Sequence, residues 1–156
     1  MTVLLVRHAR AGRRQDWRGD DRLRPLSPKG HGQARELVDL AMGLVRPSRS
    51  LTVLSSPWVR CVQTVEPLAK HLGTTVEPRA ELGEGMGDKA VDLVMGLVAN
   101  TAVLCTHGDV VGDVLVHLHN EGIDLGPKPT WPKASVWVLQ TRAGRFTSAK
   151  YVPPPS

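Results

Sequence analysis

The sequence predicts an α/β domain, with a mostly parallel central sheet covered by helices on both faces in a three-layer α/β/α arrangement. Short apolar runs alternate with segments of helical periodicity along the chain, and this alternation is typical of parallel strands joined by helices. With 156 residues, 41% of them hydrophobic, the chain is long enough for one domain with its own core. We therefore expect a single domain over residues 1–152 and a proline-rich tail at 153–156.

A buried run and a well-formed helix start indicate the first strand and the first helix. Residues 2–6 form a short, largely apolar run that ends where Arg7 begins, which is typical of a buried strand that meets solvent. The segment at residues 26–45 predicts a helix, because Ser27 suits the N-cap and Pro28 suits the first helical position. Apolar residues follow at helical spacing.

The second strand and the second helix repeat this order. Residues 50–56 predict a strand, and Ser56 followed by Pro57 predicts a helix that stops at Gly73. Pro67 lies inside this helical pattern. Because proline lacks the N–H that a helix interior needs, we expect a kink or an early break just before it.

The remaining elements alternate in the same way and close with a hairpin. A glycine- and proline-rich loop precedes two alternating runs around the sequence Arg-Ala-Gly, which indicates an antiparallel terminal hairpin. The predicted elements are a short strand at 74–78, a helix at 89–98, a buried strand at 101–106, a helix that begins near 107, and hairpin strands at 135–141 and 145–152.

Basic residues concentrate near the end of the first strand. The chain has a net charge of +5, but residues 7–35 alone carry nine Lys or Arg against three Asp and so have a net charge of +6. This local basic field favours an anionic partner. We do not expect nucleic acid, because the arginines lack the interleaved aromatic residues of a base-stacking surface. The basic residues are Arg7, Arg10, Arg13, Arg14, Arg18, Arg22, Arg24, Lys29 and Arg35.

Other features of the composition argue against several classes of protein. No apolar run approaches the roughly 20 residues that span a bilayer, and the first apolar run is too short for a signal peptide. We therefore expect a cytoplasmic protein without a membrane partner. The two cysteines, Cys61 and Cys105, are too few for a disulfide framework and lack metal-binding spacing, so we expect buried free thiols. We find no metal-binding motif and expect no metal and no cofactor.

Histidines and arginines follow the ends of three predicted strands. Arg7 and His8 come at the end of the first strand, Arg60 lies in the first turn after the second strand, and His107 follows a later buried strand. Ligands of open α/β sheets bind beyond the carboxyl ends of the strands. We therefore expect these four side chains to meet at one edge of the sheet.

This combination of side chains is suited to phosphoryl transfer. A neutral imidazole such as that of His8 can attack phosphorus and form a phosphohistidine, while arginines pair with the charged phosphate oxygens. The leaving oxygen needs a proton, which a carboxylic acid can supply. In the glycine-rich loop after the short strand, Glu84 is the preferred candidate for this acid and Glu81 is its competitor.

Five motifs, in this order, resemble those of the histidine phosphatase superfamily, whose members have a phosphoglycerate-mutase-like fold. The resemblance implies that His8 is the nucleophile and that Arg7, Arg60 and His107 form the phosphate pocket. It also implies that Glu84 is the proton donor. The motifs are LLVRHA, RPLSPKGHGQA, SSPWVRCVQT, LGEG and VLCTHGD.

Two residues outside this set are expected to bind substrate. Arg24 lies in the second motif, and Gly108 begins the helix after His107, where backbone N–H groups and the helix dipole favour a phosphate. The nucleophile motif reads Arg-His-Ala where Arg-His-Gly is commoner in the family. We expect this difference to be tolerated if Ala9 keeps a negative φ.

Within the superfamily, the short chain looks most like the SixA-type phosphohistidine phosphatases. It is also similar to the histidine-phosphatase domain that some bacteria fuse to a Nudix hydrolase, and here we expect that domain to stand alone. The segments GDDRLRPLSPKG, RCVQTVEPLA and KASVWVLQTRAGRF carry this second similarity.

These observations predict a metal-independent phosphatase that uses a covalent phosphohistidine on His8. Its substrate could be a phosphohistidine protein, a nucleotide or another phosphorylated small molecule, and the sequence does not separate them. Two other functions stay open: a non-catalytic module that binds phosphate groups, and a mutase, which the short length disfavours. The sequence leaves the oligomeric state open.

Overall fold

The computed structural model describes residues 1–46 and 51–156, and within them it contains one mixed sheet of six strands. The strands are β1 (Thr2–Arg7), β2 (Thr52–Ser55), β3 (Val76–Pro78), β4 (Ala102–Thr106), β5 (Val136–Arg142) and β6 (Arg145–Val152). The main helices are α1 (Pro28–Leu44), α2 (Val59–His71), α3 (Gly87–Met95) and α4 (Gly108–Asn120). Short 3-10 turns lie at Arg14–Asp16, Asp21–Leu23 and Ala80–Leu82.

The strands lie in the order β3-β2-β4-β1-β5-β6. The first four of these are parallel to one another. Strand β5 runs antiparallel to β1, and β6 runs antiparallel to β5. Arg7 pairs with Thr106 and Ser55 pairs with Cys105, so β1, β4 and β2 end almost level. The residues that follow these three strands therefore leave the sheet at the same edge.

The core consists of two apolar layers, one on each face of the sheet. Because side chains alternate along a strand, Val3 and Leu5 of β1 face one layer and Leu4 and Val6 face the other. The first layer is completed by residues of α3 and α4, and the second by residues of α1 and α2. The predicted three-layer α/β/α fold with a mostly parallel sheet is thus confirmed.

Several local predictions are also confirmed. Ser27 is the N-cap of α1, where its Oγ accepts a hydrogen bond from the Gly30 N–H at 3.1 Å, and Pro28 is the first helical residue. The chain turns away after α2 at Gly73, whose φ is +70°. In the terminal hairpin, Ala143 and Gly144 both have positive φ, as a tight two-residue turn requires.

The start of the second helix was predicted wrongly. The helix begins at Val59 with Trp58 at its N-cap, not at the Ser56–Pro57 pair. Ser56 lies before the helix, where its Oγ accepts a hydrogen bond from the Trp58 N–H at 3.3 Å and lies 2.9 Å from His107 Nε2 across the strand ends. The predicted first residue of β2, Ser50, lies outside the described residues.

The expected early break in α2 does not occur. The helix continues past Pro67 to His71. Val65, Leu68 and Ala69, on either side of the proline, are almost fully buried in the second core layer. Tertiary packing on this face holds the last turn in spite of the missing N–H. None of the helices in the described part of the chain is long and apolar enough to cross a membrane.

Candidate active site

The level ends of β1, β2 and β4 border a cavity of about 460 Å³. All seven residues that the sequence indicated line it, together with four further basic residues, two of them from the loop after β1. The seven are Arg7, His8, Arg24, Arg60, Glu84, His107 and Gly108. Topology alone brings them together, because they lie on five different segments of the chain.

His8 is held as a neutral imidazole with one nitrogen free for chemistry. It is 6% exposed, and its Nδ1 lies 2.8 Å from the carbonyl oxygen of Ala9. This contact assigns the proton to Nδ1 and leaves the lone pair on Nε2. Burial lowers the pKa of His8 to about 3, and the nearby cationic groups of Arg60 and Arg7 lower it in the same direction. Ala9 does not have a positive φ, so the condition for replacing the usual glycine is met.

Arg7 packs directly against the start of α4. One guanidinium nitrogen, NH1, donates to the carbonyl of Trp131 at 3.0 Å. A Cβ placed on Gly108 would lie 2.8 Å from Cζ of Arg7, so only glycine allows this close approach. Burial lowers the pKa of Arg7, while Asp109 acts in the opposite direction. The guanidinium is therefore fixed beside the N-terminus of α4.

Arg60 and Arg24 are oriented by one carboxylate, that of Asp21. Arg60 is 1% exposed, and its guanidinium donates to the carbonyl oxygen and to Oδ2 of Asp21 at 2.9 and 3.2 Å. Arg24 donates from Nε to Oδ1 of the same residue at 2.8 Å. Arg60 also lies over the ring of Trp58, at 4.7 Å from its centroid. Buried charges of this kind need fixed partners, and Asp21 supplies them for both arginines.

His107 is wedged between the second strand end and the nucleophile. Its Nε2 lies within hydrogen-bond distance of Ser56 Oγ, at 2.9 Å, and 3.6 Å from the Sγ of Cys61. Its ring packs edge-on against Trp58 and His8, with centroid distances of 4.6 and 5.6 Å. The other ring nitrogen, Nδ1, is buried and has no hydrogen-bond partner among the described residues. Both cysteines are buried free thiols, as predicted.

Three buried nitrogens in this cluster have no hydrogen-bond partner in the part of the chain that the structure describes. They are Nε of Arg7, Nε of Arg60 and Nδ1 of His107, and all three residues line the same cavity. An unpaired buried donor costs about 1–3 kcal/mol. The three residues line one cavity beside a helix N-terminus, an arrangement suited to bind the oxygens of a phosphoryl group.

Of the two candidate acids, Glu84 lines the cavity and Glu81 does not. The Glu81 carboxylate instead pairs with Arg79, with an Nε–Oε2 distance of 3.0 Å. Glu84 lies 3.8 Å from the guanidinium of Arg14, and 39% of its side chain is exposed. Of these two acids, Glu84 is therefore the one that can reach a group bound in the cavity.

The Glu84 loop is anchored at two points. Asp109, in the first turn of α4, accepts a hydrogen bond from the Gly85 N–H at 2.8 Å. Thr106 Oγ1 donates to the carbonyl of Leu82 at 2.6 Å. These two contacts connect the acid loop to the same strand and helix that position His107.

Sequence reasoning missed three residues that position the site. Asp21 was only one of three acids in a basic segment, Asp109 was an unassigned member of the VLCTHGD motif, and Thr64 carried no role. Thr64 Oγ1 accepts from the Ala9 N–H at 2.9 Å and donates to the Arg60 carbonyl at 2.7 Å, so it joins the nucleophile segment to α2. The one available signal was that Thr64 and Asp109 end quoted motifs.

The site as a whole can bind a phosphoryl group and present an imidazole to it. Its cationic groups are guanidinium groups fixed by buried contacts, and its base is a neutral histidine. Among the described residues, no group of three or more His, Cys, Asp or Glu side chains could hold a metal ion. Fold and site together define an α/β protein with a cationic pocket and two buried histidines at the carboxyl edge of its sheet.

The comparisons with known proteins give the family. The model of the histidine phosphatase superfamily (branch 1) matches residues 3–89, which is more than half of the chain. The chain belongs to this family, which is one of phosphatases.

The chain is similar to a curated protein of Mycolicibacterium smegmatis. That relative is the 8-oxo-(d)GTP phosphatase, 36% identical over 162 residues, and the match covers 99% of this chain and 48% of the relative. The chain thus spans about half the length of that relative.

Solved structures with the same fold include two phosphatases of different substrate class. The protein histidine phosphatase SixA, complexed with tungstate, matches over 100% of this chain and 97% of its own, with a TM-score of 0.74 and 24% identity. The mycobacterial glucosyl-3-phosphoglycerate phosphatase, complexed with VO3, matches over 99% of both chains with a TM-score of 0.74 and 16% identity. At these identities the likeness concerns the fold.

Proposed function

We propose that this protein is a metal-independent phosphatase that hydrolyses its substrate through a phosphohistidine on His8. The observation that carries the proposal is that three residues lining the cavity beside the neutral His8, Arg7, Arg60 and His107, each carry a buried nitrogen without a hydrogen-bond partner among the described residues. Guanidinium groups and the start of α4 supply the positive charge that a transferring phosphoryl group requires.

In the first step, Nε2 of His8 attacks phosphorus in line with the bond to the leaving oxygen. Arg7, Arg60 and His107 hold the phosphoryl oxygens, while Glu84 donates a proton to the leaving oxygen. The Nδ1–H bond to the Ala9 carbonyl keeps the correct tautomer and stabilises the positive charge that develops on the imidazole. The leaving group then departs as an alcohol or a protonated phosphate.

In the second step, water replaces the leaving group. The Glu84 carboxylate, deprotonated in the first step, accepts a proton from this water as the water attacks phosphorus. The P–N bond to His8 breaks, orthophosphate leaves and the neutral imidazole returns. Arg7, Arg60 and His107 stabilise the transition states of both steps, so each of the two displacements has a lower barrier than direct hydrolysis.

A nucleotide is the substrate class that the observations favour most. The curated relative is named for a nucleoside triphosphate, and the many basic residues around the cavity suit a substrate with several negative charges. A phosphohistidine protein is the second candidate, favoured by the position of the cavity at the edge of the sheet, where a protein side chain can enter. A phosphorylated small molecule of another kind fits the same phosphate pocket.

The experiment is hydrolysis of para-nitrophenyl phosphate near pH 6 in the presence of a chelator. The wild-type protein should turn over this activated ester, and His8→Ala should lower kcat/KM by at least about a thousandfold. His119→Ala, which removes an exposed histidine of α4 outside the cavity, should leave the rate unchanged. Wild-type activity in His8→Ala would exclude the mechanism. Phosphate binding without turnover in the wild-type protein would favour a non-catalytic phosphate-binding module.

A further inference from the structure

The cavity carries more positive charge than one phosphoryl group needs. Its lining includes seven basic residues: Arg7, Arg10, Arg13, Arg14, Arg24, Arg60 and Lys133. Several of these are paired with carboxylates, since Arg14, Arg24 and Arg60 contact Asp21 and Arg13 contacts Asp16. Within the described residues, no carboxylate lies within 4.0 Å of a basic nitrogen of Arg10 or Lys133. These two cations are outside the catalytic set and available to a ligand.

Lys133 is held at the rim by a strained turn. The next residue, Ala134, has φ +67°, and its N–H is shared between the carbonyls of Arg7 and His8, both at 3.1 Å. A left-handed conformation at a residue other than glycine costs on the order of 1 kcal/mol. This turn fixes Lys133 relative to the nucleophile segment itself, through the backbone of the strand end.

The charged groups that act most strongly on Lys133 are arginines. Burial lowers the pKa of Lys133, and Arg7, Arg24 and Arg10 lower it further. A lysine placed among arginines without a compensating carboxylate repels them. An anion bound between them would remove this repulsion.

Arg10 is fixed on the other side of the nucleophile segment, against the start of α1. Its N–H donates to Gln33 Oε1 at 3.1 Å, and its carbonyl accepts from the Ser27 N–H at 2.9 Å. The carbonyl also packs so closely on Gly30 that a Cβ there would overlap it. Both cations therefore rest on rigid backbone on the same cavity.

We propose that Arg10 and Lys133 form a second anion subsite, which binds the phosphate next to the one that His8 attacks. The inference rests on the proposed function and narrows its substrate class to the terminal phosphate of a phosphoanhydride, such as a nucleoside diphosphate or triphosphate. The phosphoryl group that reacts lies among Arg7, Arg60 and His107, and the penultimate phosphate lies between the two rim cations.

The subsite also has a chemical role. When His8 attacks, the bond between the terminal phosphorus and the bridging oxygen breaks, and its electron pair stays on that oxygen. The leaving group is then a phosphate whose new negative charge is stabilised by Arg10 and Lys133. Water releases the phosphoryl group from His8 as orthophosphate. Such a leaving group depends less on a proton from Glu84 than an alkoxide does.

The test compares binding of methylenediphosphonate with binding of methylphosphonate by calorimetry, because neither compound is hydrolysed. The wild-type protein should bind the diphosphonate about tenfold more tightly. Lys133→Gln and Arg10→Gln should each lower diphosphonate affinity about threefold to fivefold and leave methylphosphonate affinity unchanged, which is the size expected for partly exposed ion pairs. Lys128→Gln removes an exposed charge from the same loop outside the cavity and should change neither affinity.

Two results would overturn the subsite: equal affinity for the two compounds in the wild-type protein, or an equal loss for both compounds in the variants. In kinetics, Lys133→Gln should lower kcat/KM for a nucleoside diphosphate and not for para-nitrophenyl phosphate. Because calorimetry needs no turnover, it tests the subsite even if the protein does not hydrolyse para-nitrophenyl phosphate. A lack of hydrolysis would count against the proposed function and not against the subsite.

Discussion

The buried nucleophile should make folding stability depend on pH in a defined direction. Burial, reinforced by neighbouring cations, lowers the pKa of His8 to about 3 in the folded protein, while an unfolded chain has a histidine pKa near 6.5. Below pH 6.5 the unfolded state therefore binds a proton that the folded state does not bind until about pH 3. Stability falls as the pH drops through this window, by up to about 1.4 kcal/mol per pH unit. Between pH 8 and pH 5 the loss from His8 is about 2 kcal/mol.

The variant His8→Gln removes this contribution because glutamine does not titrate. Urea unfolding of both proteins at pH 8, 7, 6 and 5 isolates the contribution of His8. The other titrating groups are common to the wild-type protein and the variant, so their effects cancel in the difference. The variant should gain about 2 kcal/mol relative to the wild-type protein between pH 8 and pH 5. His119→Gln controls for the loss of an exposed histidine. A stability difference between the wild-type protein and His8→Gln that stays constant with pH would refute the account of a neutral, buried nucleophile.

Three further substitutions test how the site is positioned. Gly108→Ala places a Cβ against the guanidinium of Arg7; because the end of a flexible side chain can move aside, we expect unchanged thermal stability but about a hundredfold lower kcat/KM on para-nitrophenyl phosphate. Asp21→Asn removes the charge that orients Arg60, so KM should rise and kcat/KM should fall about tenfold in the same assay. Glu84→Gln should lower kcat at least about a hundredfold on an alkyl phosphate and only a few-fold on the nitrophenyl ester, whose leaving group needs no proton.

Each of these substitutions has a matched control in the chain. Gly43→Ala adds a methyl group to an open position on α1, Asp16→Asn removes an exposed carboxylate outside the cavity, and Glu81→Gln removes the competing acid. All three should retain wild-type rates. A loss in Glu81→Gln with none in Glu84→Gln would transfer the acid role to Glu81. Loss of stability in Gly108→Ala would show that the glycine serves folding rather than the position of Arg7.

The strand ends that form the site could be predicted because their signals are local. An apolar run that ends in Arg7 and His8 indicates both a buried strand and the position of its carboxyl end. The Ser27–Pro28 pair likewise indicates the start of a helix. The sheet-edge rule then brings separate strand ends together. Hence the seven predicted residues were found on one cavity without any knowledge of side-chain contacts.

What could not be predicted depends on contacts between residues distant in sequence. Asp21 orients Arg60, which lies 39 positions further along the chain, and no local pattern distinguishes it from the neighbouring Asp20. Lys133 approaches the cavity only because the turn at Ala134 is hydrogen-bonded to the end of β1.

The helix start at Val59 shows the same limit. The Ser-Pro pair predicts an N-cap at Ser56 as well as it does at Ser27. At Ser56, however, the hydroxyl bonds to His107, and the helix begins later. Nothing in the local pattern around Ser56 indicates this contact with His107, which lies 51 positions further along the chain.

The covalent intermediate is the central claim, and its direct test is to locate the phosphoryl group. The protein is mixed with para-nitrophenyl phosphate, quenched in base within the first turnover and analysed by peptide mass spectrometry. The account predicts one acid-labile, base-stable phosphoryl group on His8, and none in His8→Ala. A phosphoryl group on His107, or rapid turnover with no phosphorylated peptide at any quench time, would contradict it.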